Sequence, residues 1–479
     1  MLRFRFALQS VAGPLALTFV LACSGPPTTP SSAPTNAPAA PAATQAPAAK
    51  PTTAPAAAPT TAPTAAVAPA ATSAPAAAGA AGAPVKITWW HIATNDPGKS
   101  DFQSIADAYM KAHPNVTIEI TILENDAFKA KLATAMQAGT PPDLFQSWGG
   151  GVLQQYASSG LVQDLTPSLN GDWGNSISKS GLDLYTFGGK AYGVPWNLAM
   201  VGIWYNKDNF SKAGIGAPPK TWAELVDDTK KLQAAGITPI ALGDKDKWPG
   251  HFWWVYLALR GGGKDAFMNA VNRTGKFTDP AFVDAGRKLQ ELNQTNPFPD
   301  GFLGMTFNDH SAFMASGKAG FELMGQWTID NQKNSTEDKQ GLGDKLAFAT
   351  FPTIEGGKGD ASDVLGGADG IAVGKNAPKE AIDFLKFFTS LDNQKTLTGD
   401  GVALPSVKGA ESAIKDPLLK QVQSTAAQAK YLQLYYDQAL PPAVGNTVND
   451  QTQALLAGQS SPEAVAQAIE DAAATELKR

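Results

Sequence analysis

The chain has 479 residues, of which 43% are hydrophobic and 17% charged, and its formal net charge is -5. A single core rarely grows beyond ~250–300 residues, so this length predicts more than one compact body. The slightly acidic balance leaves no surplus of Lys and Arg to hold a phosphate backbone, which argues against a nucleic-acid partner.

The first residues read MLRFRFALQSVAGPLALTFVLAC, with Arg3 and Arg5 ahead of an apolar run that closes on small residues before Cys23. That order is an export signal. Val20-Leu21-Ala22-Cys23 resembles the bacterial lipoprotein signal, in which the cysteine becomes the mature amino terminus and carries lipid; Leu21 is bulkier than the residue usual there. The resemblance implies a protein anchored to the cell membrane through Cys23 and facing the periplasm or the cell surface. The alternative for Cys23 is a buried thiol in an uncleaved helix. As it is the only cysteine, an intrachain disulfide is excluded. Residues 24–84 are almost wholly Ala, Pro, Thr and Ser, with Lys50 the one charge and no aromatic side chain. Such a stretch cannot bury enough apolar surface to offset chain entropy, so it is expected to be a disordered, proline-stiffened linker that gives reach.

The predicted fold starts at Val85. VKITWW reads as a strand, and Phe102, Ile105, Ala106, Tyr109 and Met110 then share one helix face. Val116, Ile118, Ile120 and Ile122 alternate with polar neighbours as in a half-buried strand. Phe128, Leu132 and Met136 fall four apart before Gly139 and Pro141 end a helix. DLFQSW completes a strand-helix-strand-helix-strand series, which predicts a parallel sheet with ligand sites at the carboxyl ends of its strands, near His91 and Trp148.

YGVPWNLAMVGIWYNKD at 192–208 begins with Gly193 and Pro195 and continues as a mostly apolar run, too short to span a membrane. It reads as a crossing between two compact bodies, a plain core strand being the other possibility. Downstream, Thr221 and Glu224 have capping-box spacing, with Trp222, Leu225, Val226 and Leu232 inward. ITPIAL is a predicted strand, Pro280 opens a helix, and AGFELMG at 319–325 is a strand running into Gln326-Trp327. GGADGIAVG at 366–374 is a second glycine-bounded strand that would return the chain to the first body, followed by an amphipathic helix at 378–389.

With these segments placed, residues 85–479 resemble the bacterial extracellular solute-binding proteins of carbohydrate ABC importers, the maltose-binding-protein type. The resemblance rests on the 192–208 stretch, PPKTWAEL, FELMGQWTID, GGADGIAVGKNAPKEAIDFLKFFTS and LPPAVGNTVND, taken in order. It implies an α/β fold of two lobes joined by crossing strands, the type II periplasmic-binding-protein architecture, with the ligand in the cleft. Carried onto this chain, lobe 1 takes 85–195 plus 372–405 and lobe 2 takes 196–371 plus 406–479. It also implies a carbohydrate ligand, ABC permease subunits as partners, a monomer, and no cofactor or metal.

A sugar presents flat C–H faces and a rim of hydroxyls, so its site needs aromatic plates and planar polar groups. The chain has 11 Trp. Trp148 ends the third strand, and the glycines after it would let a ligand approach the backbone. Trp196 and Asn197 lie in the crossing. Trp248 and His251 follow the strand ending at Leu242, and Trp327 corresponds to an aromatic that stacks on sugar in the family. Asp369 sits in the return strand, His91 and Asp96 follow the first strand, Glu124 follows the second, and Asp437 precedes LPPAV. Each has a bland alternative: core packing for the aromatics, a solvated or capping role for the acids. Trp89, Trp222, Trp253 and Trp254 are assigned to the core.

His91, His113, His251 and His310 show no HExxH spacing, there is no GxSxG elbow, and Gly261-Gly262-Gly263-Lys264 lacks the rest of a phosphate loop. Two separated carboxylates suffice for a glycosidase, so a secreted carbohydrate-cleaving enzyme is the alternative from another class. A third reading keeps the lobes and changes the cargo to a non-sugar solute.

Overall fold

The computed structural model describes residues 83–477. The signal, Cys23 and all but the last two residues of the linker lie outside the described residues. Strands β1 (Val85–His91), β2 (Val116–Ile122) and β3 (Leu144–Ser147) alternate with helices α1 (Gly98–Ala112), α2 (Asn125–Gln137) and α3 (Gly150–Ser158). β1 pairs in parallel with β2 and with β3, as helical crossovers require.

The strand Gly193–Asn206 changes partners partway along. Gly193 to Met200 pair antiparallel with the return strand Val364–Val373, and Val201 to Tyr205 pair antiparallel with the strand Ala319–Gly325. One ribbon therefore belongs to both sheet regions. The path β2, β1, β3, return strand, crossing strand, Ala319–Gly325, Thr238–Ala241 is continuous. Between Asp369 and Gly370 the register slips, so that Gly370 faces Pro195 and Trp196 is left over as a bulge. Asp369 and Asn197 remain directly paired, and direct pairs share a face.

The buried apolar residues separate into clusters along this division. Ile87, Trp89, Phe102 and Trp196 pack with Phe384, Phe388 and Val407, while Phe128, Leu132, Phe145 and Tyr185 form a second group. The largest cluster runs from Met200 through the helix Trp248–Val271 to Ala473. Val364 and Leu365 belong to that largest cluster and Ile371 and Val373 to the first. The return strand thus passes from one core to the other within its own length. Trp89, Trp253 and Trp254 are fully enclosed and Trp222 nearly so. Thr221 accepts the Glu224 backbone N–H at 3.2 Å while the Glu224 carboxylate accepts that of Thr221 at 3.1 Å, the reciprocal cap read from the sequence.

Two expectations are corrected here. Gly149, Gly150 and Gly151 do not expose backbone to a ligand: a Cβ on them would lie 2.3 Å from Leu184 O, 2.4 Å from Gln438 O and 2.6 Å from Leu440 C. They are small because chain packs on chain, and Gly149 and Gly150 also have positive φ. His91 does not face the cleft. It shares the inward face of β1 with Ile87 and Trp89, its ring 4.8 Å from Trp89 and 5.0 Å from Phe102. Its Nδ1 accepts the Ala93 N–H at 3.2 Å, and burial pushes its pKa down to about 4, so it is a neutral core residue.

Candidate functional site

A cleft of ≈ 230 Å³ opens where the loops after β1 and β2 meet the start of the helical segment Trp248–Val271, which is kinked at Gly263, the turn after Gly325 and the short helix Tyr436–Ala439. Of the candidates read from the sequence it gathers Glu124, Trp148, Trp248, His251, Trp327, Asp369 and Asp437. An adjoining hollow of ≈ 170 Å³ gathers Asp96, Trp196 and Asn197, and shares Trp327 and Asp369 with the first. Trp196 was expected to be a platform beside Trp148, but the bulge aims it at the core. It is only 7% exposed and packs edge-on against Phe102 at 5.1 Å, leaving one edge on the side hollow. Asp96 is exposed; its Oδ1 accepts the Ser100 N–H at 3.1 Å, ahead of the first turn of α1. Glu124 is exposed at the start of α2.

Trp327 occupies a turn fixed from three sides. Gln326 accepts the Met200 N–H at 3.1 Å and donates to Leu198 O at 3.0 Å, which ties the turn to the crossing strand. Beneath it Glu322, fully buried, accepts from Thr328 and Gln332 and lies 2.7 Å from His310 Nε2. The Trp327 ring lies flat on Gly325, where a Cβ would fall 2.0 Å from Cζ3. Phe252, Trp248 and Tyr435 surround it, each with its ring centroid 6.4 Å away, and Phe307 stands 4.8 Å from Trp248. This aromatic wall belongs to one half of the molecule. Trp148, half-buried, faces it from the other half, set edge-on against Phe128 at 6.0 Å with the Lys129 ammonium 5.2 Å over its ring.

The polar groups are pre-oriented between these plates. Asp369 Oδ2 accepts from Asn197 Nδ2 at 2.6 Å and Oδ1 from Gln146 Nε2 at 2.9 Å, with the Trp148 indole also bonded to the carboxyl. Burial nonetheless pushes its pKa up to about 6, the three donors pulling the other way. Asn197 Oδ1 in turn accepts the Leu404 N–H at 2.8 Å, which fixes which way its amide points. Asp437 Oδ2 accepts from Lys129 at 3.2 Å and from Gln438 at 3.0 Å. Burial raises the Asp437 pKa, but Lys129 and His251 outweigh it and leave the carboxyl below its ordinary value. His251 is fully enclosed, and burial lowers its pKa; its Nε2 stands 3.9 Å from Asp437 Oδ1, too far for a hydrogen bond, and has no other partner. The Tyr435 hydroxyl is buried in the same wall without a partner. Two buried, unpartnered polar groups bordering one cleft are what a site for a hydroxylated ligand provides before that ligand arrives.

Polar contacts join the two halves at the cleft, among them Asn95 to Asn331 at 3.1 Å, Asn334 to Asp96 O at 2.7 Å, and Lys129 to Asp437 at 3.2 Å. Sequence reasoning missed Tyr435, Phe252, Phe307, Lys129, Gln146 and Asn331. The Tyr435-Tyr436 pair directly before Asp437 was the one legible hint; Phe252, Phe307, Lys129 and Asn331 look like ordinary helix residues and Gln146 like an ordinary strand residue.

The family profile for the bacterial extracellular solute-binding protein matches residues 93–395, and the chain belongs to that family. Its fold is the mixed α/β, two-lobed fold of these proteins. An uncharacterized ABC transporter extracellular-binding protein of Pyrococcus horikoshii is 26% identical over 376 residues, 76% of this chain and 81% of its own length. A solved structure from a study of xylan utilization by the thermophilic bacterium Caldanaerobius polysaccharolyticus is 32% identical, with a TM-score of 0.76 over 81% of this chain and 99% of that one. A solved chitin oligosaccharide binding protein is 28% identical, with a TM-score of 0.76 over 82% of this chain and 99% of its own.

Proposed function

We propose that this protein is the substrate-binding lipoprotein of an ABC importer, capturing a mono- or oligosaccharide between its lobes and delivering it to the membrane permease. The lobes are taken as 85–195 plus 372–405 and 196–371 plus 406–479, with Cys23 holding lipid and residues 24–84 acting as the spacer. The observation that carries the reading is the cleft: Trp148 on one side and Trp248 and Trp327 on the other, with amide-held Asp369 and ammonium-held Asp437 between them. Flat indoles suit C–H faces, and carboxylates held in place suit hydroxyl donors. The names of the chitin and xylan relatives point the same way. Because the ligand would touch both walls, it binds the closed arrangement better than the open one and shifts the equilibrium toward it.

An anionic cargo is disfavoured. Lys129 is the one ammonium lining the cleft among the described residues, it is already paired with Asp437, and Glu124 and Asp369 add negative charge. A glycosidase is disfavoured because both Asp369 oxygens and one of Asp437 already accept from protein donors, which leaves them poorly placed to exchange protons with a glycosidic oxygen. Calorimetry of the purified chain against mono- and oligosaccharides tests the reading. Saturable binding without release of reducing ends is expected; turnover, or no binding to any sugar, overturns it. Lipid labelling should vanish in Cys23→Ser, and labelling that persists would remove the anchor.

A further inference from the structure

Beyond Trp148 the cleft continues into a second chamber of ≈ 490 Å³, twice the first. The two share Lys129, Trp148, Asp437 and Gln438, so the indole and the Lys129–Asp437 bridge stand as a partition that borders both. The far chamber is the more polar of the two, with Asp126, Asp246, Lys247 and Asp450 in its lining and Trp148 as the one indole. Trp148, Val152 and Tyr156 give it an apolar flank over the core residues Phe128, Leu132 and Phe145, and Asn446, Asn449 and Gln438 line the opposite side. Asn449 Oδ1 is buried and has no hydrogen-bond partner. Its walls again come from both halves of the chain, α2, β3 and α3 on one side and the segment after Tyr436 on the other.

Size then separates ligands that the proposed function leaves together. The near chamber alone is smaller than the ~300–1,000 Å³ common for ligand pockets, whereas the two chambers together fall within that range. A monosaccharide in the near chamber would leave the larger, partly apolar chamber to water. We infer that the cleft is built for an oligosaccharide of at least two linked rings, one on each side of Trp148, with the far ring held by Asn449 and Gln438. The inference rests on the sugar reading above and specifies its substrate class.

The test is calorimetry of the full chain with a xylose and an N-acetylglucosamine series, each from the monosaccharide to the tetrasaccharide. In the matching series, affinity should rise at least tenfold on adding the second ring. Asn446→Trp, an exposed helix position lining only the far chamber, should weaken the longer members about tenfold or more while leaving the monosaccharide unchanged. Val152→Phe, which narrows the same chamber from α3, serves if Asn446→Trp does not fold. Equal affinity for one ring and for four, or an unchanged series in a folded chamber-blocking variant, overturns the inference and leaves the sugar reading standing. A folded protein that binds no member of either series, nor any other sugar, removes the sugar reading and the inference with it.

Discussion

Trp327 can be removed, or merely pushed aside, and the comparison isolates its role. Trp327→Ala deletes a half-buried indole. A Trp side chain buries ~150–250 Å², so at ~25 cal/mol per Å² half of one contributes roughly 2–3 kcal/mol to the fold. Loss of a sugar plate should cost a further ~1–3 kcal/mol in binding, about 5- to 150-fold in Kd. Gly325→Ala leaves the indole in the protein but sets a methyl 2.0 Å from its Cζ3. Gly325 is hydrogen-bonded in register with Val201, so the ring moves rather than the backbone. Gly325→Ala should therefore lose much of the same affinity while retaining most of the apolar burial. Calorimetric titration with the tightest-binding sugar, alongside thermal unfolding, reads both quantities. If both variants fold and bind as the parent does, Trp327 is a packing residue and the platform argument fails.

Other perturbations test the polar parts. Asp369 has its pKa raised to about 6, so its ionised form is disfavoured in the fold. That penalty is absent below about pH 4, grows through the window to pH 6, and approaches ~3 kcal/mol above it. In urea titrations, Asp369→Asn should thus gain stability relative to the parent as pH rises from 4 to 7, offset by ~1–3 kcal/mol for turning an amide donor toward Asn197 or Gln146. A pH-independent difference would refute this. Lys129→Ala strands the buried Asp437 carboxylate, and its pKa, followed by NMR titration, should rise from below to above its ordinary value. Arg260, 1% exposed, donates to the carbonyls of Phe351, Pro352, Asp360, Ala361 and Asp363. Arg260→Met should cost at least ~3 kcal/mol by chemical unfolding, because those carbonyls lose their shared donor, while sugar affinity per folded molecule stays the same.

What the sequence disclosed followed from local rules. The 192–208 run could be read as a crossing because Gly193 and Pro195 mark its start and its length forbids a membrane span. The order of β1, β2 and β3 followed from alternation and helical spacing, and the capping box from two residues three apart. The inward face of His91 was equally legible, since it continues the period set by Ile87 and Trp89. Trp196 was not, because its direction is set by a one-residue slip against a strand some 170 positions later. The glycines after Trp148 announced close approach but not of what, and only the placement of Leu184, Gln438 and Leu440 answers that. Lys129 was invisible for the same reason, since it acquires its meaning from Asp437, far away in the chain.

The shared ribbon, Gly193 to Asn206, has a consequence for how the molecule comes apart. Neither half is a severable module, because excising one strips the other of a central ladder and bares its flank to solvent. Heat should accordingly melt the described body in one calorimetric step, and fragments cut at residue 200 should stay soluble only when mixed with their counterpart.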